Sequence, residues 1–147
     1  MSMTFDDAEG LPVIAADSAE TIGEIKGFIV DSTATRIESI HVSGRGKRAE
    51  VVEWSSIRSF GEDAVIAVMA EASHRVSSDH ETQAVKGKIV ARDTRVLDTN
   101  GFEQGTVNNV MFDPSSGELT GVLTTEGRVG GESLKALGSY ALVIQAD

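Results

Sequence analysis

The chain of 147 residues contains no cysteine. That excludes disulfides, thiolate metal sites and cysteine nucleophiles, and it leaves the redox compartment unreadable. Long apolar runs are missing as well: segments such as Ala64 to Ala70 fall far short of the roughly 18 apolar residues that a membrane-spanning helix requires. The first residues carry acid where a secretory signal carries positive charge and then an apolar stretch, so a cytoplasmic location is expected by default. Cations are in deficit, with 13 Lys and Arg against 23 Asp and Glu, a formal net charge of -10. Residues 1–69 hold -6 of it, residues 70–85 hold -2 and residues 86–147 the remaining -2. Such a surface favours solubility and repels phosphate at long range, which disfavours nucleic acid as a partner unless a local basic patch overrides the mean.

What the sequence does contain is an internal repeat. A shift of 82 places aligns residues 13–46 with residues 95–128 without a gap. Gly23 then meets Gly105, and Asp31 meets Asp113. Apolar positions coincide as well, among them Ile14 with Val96, Ile25 with Val107, Phe28 with Val110, Val30 with Phe112 and Ile40 with Val122. Beyond this block the shift falls to 77, which brings Val52 onto Val129, Ile57 onto Leu134, Phe60 onto Leu137 and Gly61 onto Gly138. The second copy has therefore lost five residues, between the positions of Gly46 and Val52, in a hairpin connection where such changes are tolerated best.

Each copy reads as short β-branched and aliphatic strands separated by Gly, Ser, Asn and Asp, with no sustained helical period. Asp98-Thr-Asn-Gly101 and Asp113-Pro-Ser-Ser-Gly117 are turn signals in the second copy. Glycine supplies the positive φ there, proline presets its own, and aspartate accepts hydrogen bonds from the turn backbone. The first copy has Asp31-Ser-Thr-Ala-Thr35 at the second of these positions, which predicts a looser turn in the same register. The expected organisation is an amino-terminal arm (1–10), a first domain (11–69), a polar linker (70–85) and a second domain (86–147). Lys88 to Ala91 has no counterpart in the first copy and reads as an extra strand.

The run Val96-Leu-Asp-Thr-Asn-Gly-Phe-Glu-Gln-Gly105-Thr-Val-Asn-Asn-Val-Met-Phe-Asp113, followed by Gly121-Val-Leu and Leu134-Lys-Ala-Leu-Gly138, resembles the PRC-barrel family. The first copy follows the same plan through Gly23-Glu-Ile25, Phe28-Ile-Val-Asp31 and Ile57-Arg-Ser-Phe-Gly61. The resemblance implies an all-β chain of two tandem, strongly bent, six-stranded barrels. It also implies a protein-docking or assembly role with no shared catalytic residue. The family includes the carboxy-terminal domain of the ribosome maturation factor RimM, so an accessory role in RNA processing or ribosome assembly is the alternative.

The residues point the same way. Asp31 and Asp113 could suggest paired catalytic carboxylates, but they fall one per repeat at matching turns, where capping explains both, and Gly23 and Gly105 likewise read as structural turn residues. Asp98, Asp113 and Glu118 lack the alternating ligands of a calcium loop. His74 and His80 stand six apart, outside the usual ligand spacing, and read as surface linker residues; His41 falls on a half-buried strand. No Gly-x-Ser-x-Gly elbow occurs. Hence no catalytic, cofactor or metal residue is expected, and the chain reads as non-enzymatic. The candidates for partner contact are the basic hairpin Arg45, Lys47 and Arg48, which otherwise is a solvated tip, and Trp54, which is either a docking anchor or a cap on the first barrel. The partner is expected to be an unidentified protein, with a homo-oligomer or strand-swapped dimer also open.

Overall fold

In the computed structural model all residues are described except 1, 44–49, 77, 88 and 89. Strands dominate. The chain begins with β1 (Met3–Thr4) and the short helix α1 (Phe5–Ala8), then enters the first repeat through β2 (Pro12–Ala15), β3 (Thr21–Val30), β4 (Ile37–Val42), β5 (Glu50–Glu53), β6 (Ile57–Phe60) and β7 (Val65–Ala67). A strand β8 (Ser73–Arg75) and a helix α2 (Asp79–Val85) lead to the second repeat, β9 (Arg95–Asp98), β10 (Glu103–Phe112), β11 (Leu119–Thr124), β12 (Gly127–Gly130), β13 (Leu134–Leu137) and β14 (Leu142–Ile144).

The two repeats share one plan. Hydrogen bonding orders the first as β6-β7-β2-β3-β4-β5, with β8 added beyond β5, and the second as β13-β14-β9-β10-β11-β12. In each, the first strand of the repeat closes on the last in parallel, β2 beside β7 and β9 beside β14, while the other pairings are antiparallel. The bend is built into the longest strands. The first half of β3 pairs with β2 and its second half with β4, and β10 divides likewise between β9 and β11. At the bend of β10 the register slips between Glu103 and Thr106, and Gly105 there has φ +91°. A Cβ at Gly105 would run into the Thr125 hydroxyl, so both backbone and space require glycine. Gly23 and Gly105, expected from the sequence to stand in turns, therefore sit inside strands.

The register corrects one detail of the sequence alignment. Val13 pairs with Val65, and Val96 pairs with Leu142, which makes Val13, rather than Ile14, the counterpart of Val96. Both valines are fully buried, whereas Ile14 is half-exposed. Two adjacent apolar residues fit either face on paper, and only the strand pairing decides between them. The one-residue difference is absorbed in the turn, since five residues join β2 to β3 and four join β9 to β10. The five-residue loss falls where expected, with seven residues between β4 and β5 and two between β11 and β12.

The stretch 70–85 is not a free linker. Its strand β8 extends the first sheet through Glu50 opposite Arg75 and Val52 opposite Ser73. Ser78 caps α2, accepting from the Glu81 amide at 3.1 Å, and Ala84 and Val85 on that helix cover Ile29 and Val51 on the outer face of the sheet. A three-residue strand and a two-turn helix leave too short a period for sequence reading to separate from loop. Of the expected strand 88–91, Lys88 and Ile89 lie outside the described residues, and Val90 and Ala91 are not in a strand. Ala91 is instead buried in the core.

The repeats share a single core. Val13, Ile25, Ile37, Ile40 and Val65 from the first and Val96, Val107, Val110, Phe112 and Leu142 from the second belong to one continuous cluster. Its centre is aromatic. Phe112 is fully buried and stands 5.8 Å from Phe5, 5.7 Å from Phe28 and 5.3 Å from Phe60 between ring centroids, while Phe5 stacks on Phe28 at 4.0 Å. Removing the Phe112 ring should cost about 3–5 kcal/mol. Phe112→Ala is expected to lower the denaturant midpoint of the whole chain in one transition, with circular dichroism and Trp54 fluorescence coinciding; two separated transitions would show that the repeats unfold independently.

Candidate partner-binding surface

The seam between the repeats has local two-fold symmetry. The Ile37 amide donates to the Gly117 carbonyl at 2.8 Å, and the Leu119 amide to the Thr35 carbonyl at 2.9 Å. These bonds exchange when each residue is replaced by its repeat counterpart, and Arg36 faces Glu118, its own counterpart, in an antiparallel bridge between them. The Arg36 guanidinium also donates to the Ser116 carbonyl across the seam at 2.9 Å. The segments leading into the repeats cross over it. β1, ahead of the first repeat, pairs with β10 of the second, Met3 opposite Phe112. From α2, ahead of the second repeat, His80 Nε2 reaches the carbonyl of Val30, the counterpart of Phe112, at 2.9 Å. Arg92 ties the two lead-ins together through Asp6 and Glu9.

Asp31 and Asp113 end the strands that converge on this seam, and their carboxylates are occupied in the turns. Asp31 Oδ1 accepts from the Thr35 amide at 2.7 Å and the Arg36 amide at 3.3 Å. Asp113 Oδ1 accepts from the amide and the hydroxyl of Ser115 at 2.9 and 2.7 Å. The two turns have equal length but place the positive φ differently, at Ala34 in the first and Gly117 in the second. At the tip between β9 and β10, Asp98 accepts from the amides of Asn100 and Phe102 at 2.9 and 3.0 Å.

Those bonds set the acidity of the two carboxyls. Hydrogen bonds from Ser115 hold Asp113 below the ordinary aspartate value, and the Phe102 amide does so first among several donors for Asp98. On β4, burial and then the charge of Lys26 push the His41 imidazole down.

Trp54 lies in the short 3-10 turn between β5 and β6. It stacks on Phe60 at 5.6 Å and meets Phe112 edge-on at 6.4 Å, so the cap it forms covers the seam and not the first barrel alone. Gly117 comes so close that a Cβ there would lie 2.9 Å from the indole. His74 Nε2 is 3.7 Å from Glu53 and His80 Nε2 is 3.8 Å from Glu38, so both histidines lie against the first sheet. Arg45, Lys47 and Arg48 lie outside the described residues. On the second repeat, Phe102 and Tyr140 are each 67% exposed, and Arg95 lies 4.5 Å over the Tyr140 ring. Sequence reading passed over these two aromatics because exposure cannot be told from an apolar residue beside a glycine or a serine. Among the described residues no three His, Cys, Asp or Glu side chains gather to hold a metal, and no helix is long and apolar enough to cross a membrane.

The PRC-barrel domain family model matches residues 2–72 and 92–144. The matched segments carry both repeats and the amino-terminal arm, and β8 and α2 fall between them. No curated protein matches the sequence.

Two measurements follow. Because the folded-state values of Asp98 and Asp113 are depressed, the stability they confer is complete above the unfolded-chain value and is lost as pH falls through the folded one. Carboxyl NMR titration should place both midpoints below that of an unfolded-chain aspartate, near 4, and Asp113→Asn should flatten part of the acid limb of the stability profile. Gly117→Ala forces a side chain into positive φ and into the indole, at a cost of about 1–3 kcal/mol; a shifted Trp54 emission maximum together with a lower melting temperature is the expected result.

Proposed function

The chain belongs to the PRC-barrel family, and on that premise we propose that it is a non-enzymatic protein-binding or assembly module, its two barrels acting as one platform for a partner protein. The carrying observation is the shared core. Fusion through Phe112 and the Arg36–Glu118 bridge holds the outward faces of both repeats at fixed spacing, so a partner that touches both meets a preorganised surface and little ordering opposes its binding. The acids that match between repeats support the reading, since the carboxylates of Asp31 and Asp113 are engaged by their own turns and are not turned towards a common cleft. Sheet ends at β6, β8 and β12 offer backbone for an added strand. A role on RNA would rest on Arg45, Lys47 and Arg48, and no described contact favours it.

Affinity capture with the full chain from its native cell tests this. Nuclease-treated eluates should retain one protein in near-stoichiometric amount. Retention that disappears with nuclease would overturn the reading in favour of RNA, and an eluate with no stoichiometric protein would overturn it outright.

A further inference from the structure

The two repeats differ at one sheet edge. In the first, β8 covers the outer edge of β5, with Val51 opposite His74, Val52 opposite Ser73 and Glu50 opposite Arg75. In the second, β12 is the counterpart of β5 and ends its sheet. The Val129 carbonyl points across at β11, since it would lie 2.7 Å from a Cβ on Gly121. Successive residues of a strand turn their backbone groups to opposite sides, so the N–H and C=O of Arg128 and Gly130 face outward. Among the described residues, neither makes a hydrogen bond outside the ladder between β11 and β12. A cleft of about 380 Å³ lies against this edge, lined by residues 127–130 of β12, by Gln104 and by residues 144–147. The first repeat has the same cleft at about 200 Å³, lined by Ile22, Glu50, Ala70 and Ser73. Ile22, Glu50 and Ala70 are the counterparts of Gln104, Gly127 and Asp147, and Ser73 is the first residue of β8. Ahead of β8 runs a 3-10 turn whose Ala70 and Ala72 pack against the core. Turn and strand together fill in the first repeat the space that stands open in the second.

We propose that the outer edge of β12 receives an extended segment of the partner protein, running antiparallel to β12 as β8 runs to β5. The inference rests on the protein-binding reading and adds which edge is used and what is bound there. Main-chain bonds to Arg128 and Gly130 supply the pairing, and the side chains that alternate along the segment supply selection. Small residues suit the part that enters the cleft, as Ala70 and Ser73 do in the first repeat. The residue opposite Arg128, at the place of His74, is acidic. Arg128 is exposed and makes no ion pair among the described residues, and cross-strand neighbours of opposite charge attract. The residue after it is basic, at the place of Arg75. Arg75 stands opposite Glu50 in the first repeat, and in the second Glu126 lines the cleft beside Gly127. Pairing of this edge with itself in a second copy would set Arg128 close to Arg128 across so short a strand, where like charges repel.

The test uses the full chain and a capped synthetic heptapeptide with the sequence of residues 70–76 and aspartate in the place of His74, observed by NMR. Saturable shifts centred on Arg128 and Gly130 are expected, with slowed exchange of those two amides and a dissociation constant on the order of millimolar or below. The same peptide with lysine in that place should bind several-fold more weakly. Arg128→Glu should reverse the preference between the two peptides and leave the fold intact. Arg128→Pro removes one outward N–H, which an edge strand tolerates, and should abolish binding with an unchanged circular dichroism spectrum. No saturable shift, shifts centred instead on β5, an unchanged preference in Arg128→Glu, or binding retained by Arg128→Pro overturns the proposal. So does protection of the Arg128 and Gly130 amides that grows with chain concentration in the absence of peptide, which assigns the edge to a second copy. Failure here is separable from failure of the functional reading. A captured protein partner that binds Arg128→Pro as well as the native chain removes the edge but keeps the platform; peptide binding with no captured protein keeps the edge and removes the platform.

Discussion

Everything in this molecule depends on the burial of Phe112 between two curled sheets that meet in one core. Each repeat is a curled, open path of six strands, and the concave side of each presents aliphatic residues to the other. Phe112 ends the longest strand of the second repeat, yet three of its ring neighbours, Phe28, Phe60 and Trp54, come from the first and a fourth, Phe5, from the amino-terminal arm. A small domain buries too little surface to hold much stability alone. Two that pool one aromatic centre escape that limit. The seam is thus the core of the protein and not an interface added to two finished barrels.

Much of this was legible in the sequence and some of it could not be. The repeat, the strand content and the site of the five-residue loss were carried by residues that recur at fixed spacing, Asp31 with Asp113 and Val30 with Phe112 among them. The family match covers the same two copies. The one-residue slip at Val13 was hidden because Val13 and Ile14 are both apolar and only hydrogen bonding assigns them to faces. The arm and the segment 70–85 looked like tethers because their contacts are long-range: Phe5 packs on Phe28 and Phe112, and His80 bonds Val30, partners that no local pattern can announce. Trp54 was singled out for its rarity, which was informative, but its neighbour Gly117 lies in the other repeat.

The crossing lead-ins add a second kind of cohesion. β1 completes an edge of β10, and α2 roofs the outer face of the first sheet, so each repeat is fastened by chain that lies outside it in sequence. Arg92 joins these straps to each other through Asp6 and Glu9. Separation of the repeats would therefore expose the aromatic centre and strip both sheets of their covers in one step, which makes the shared core and the straps a single cooperative unit.

The facing of Arg36 and Glu118 has one more implication. In a dimer of identical barrels, a residue on the two-fold axis must meet itself, so a charge there would meet its like and a tryptophan beside the axis would be duplicated whether or not both fit. A chain that carries both barrels is released from self-complementarity. It can set cation opposite anion, and place one large ring against one glycine, Trp54 on Gly117, where its counterpart positions hold Gly131 and Thr35. Tandem linkage thereby turns a symmetric meeting into a handed one, with two outer faces free to diverge in what they recognise.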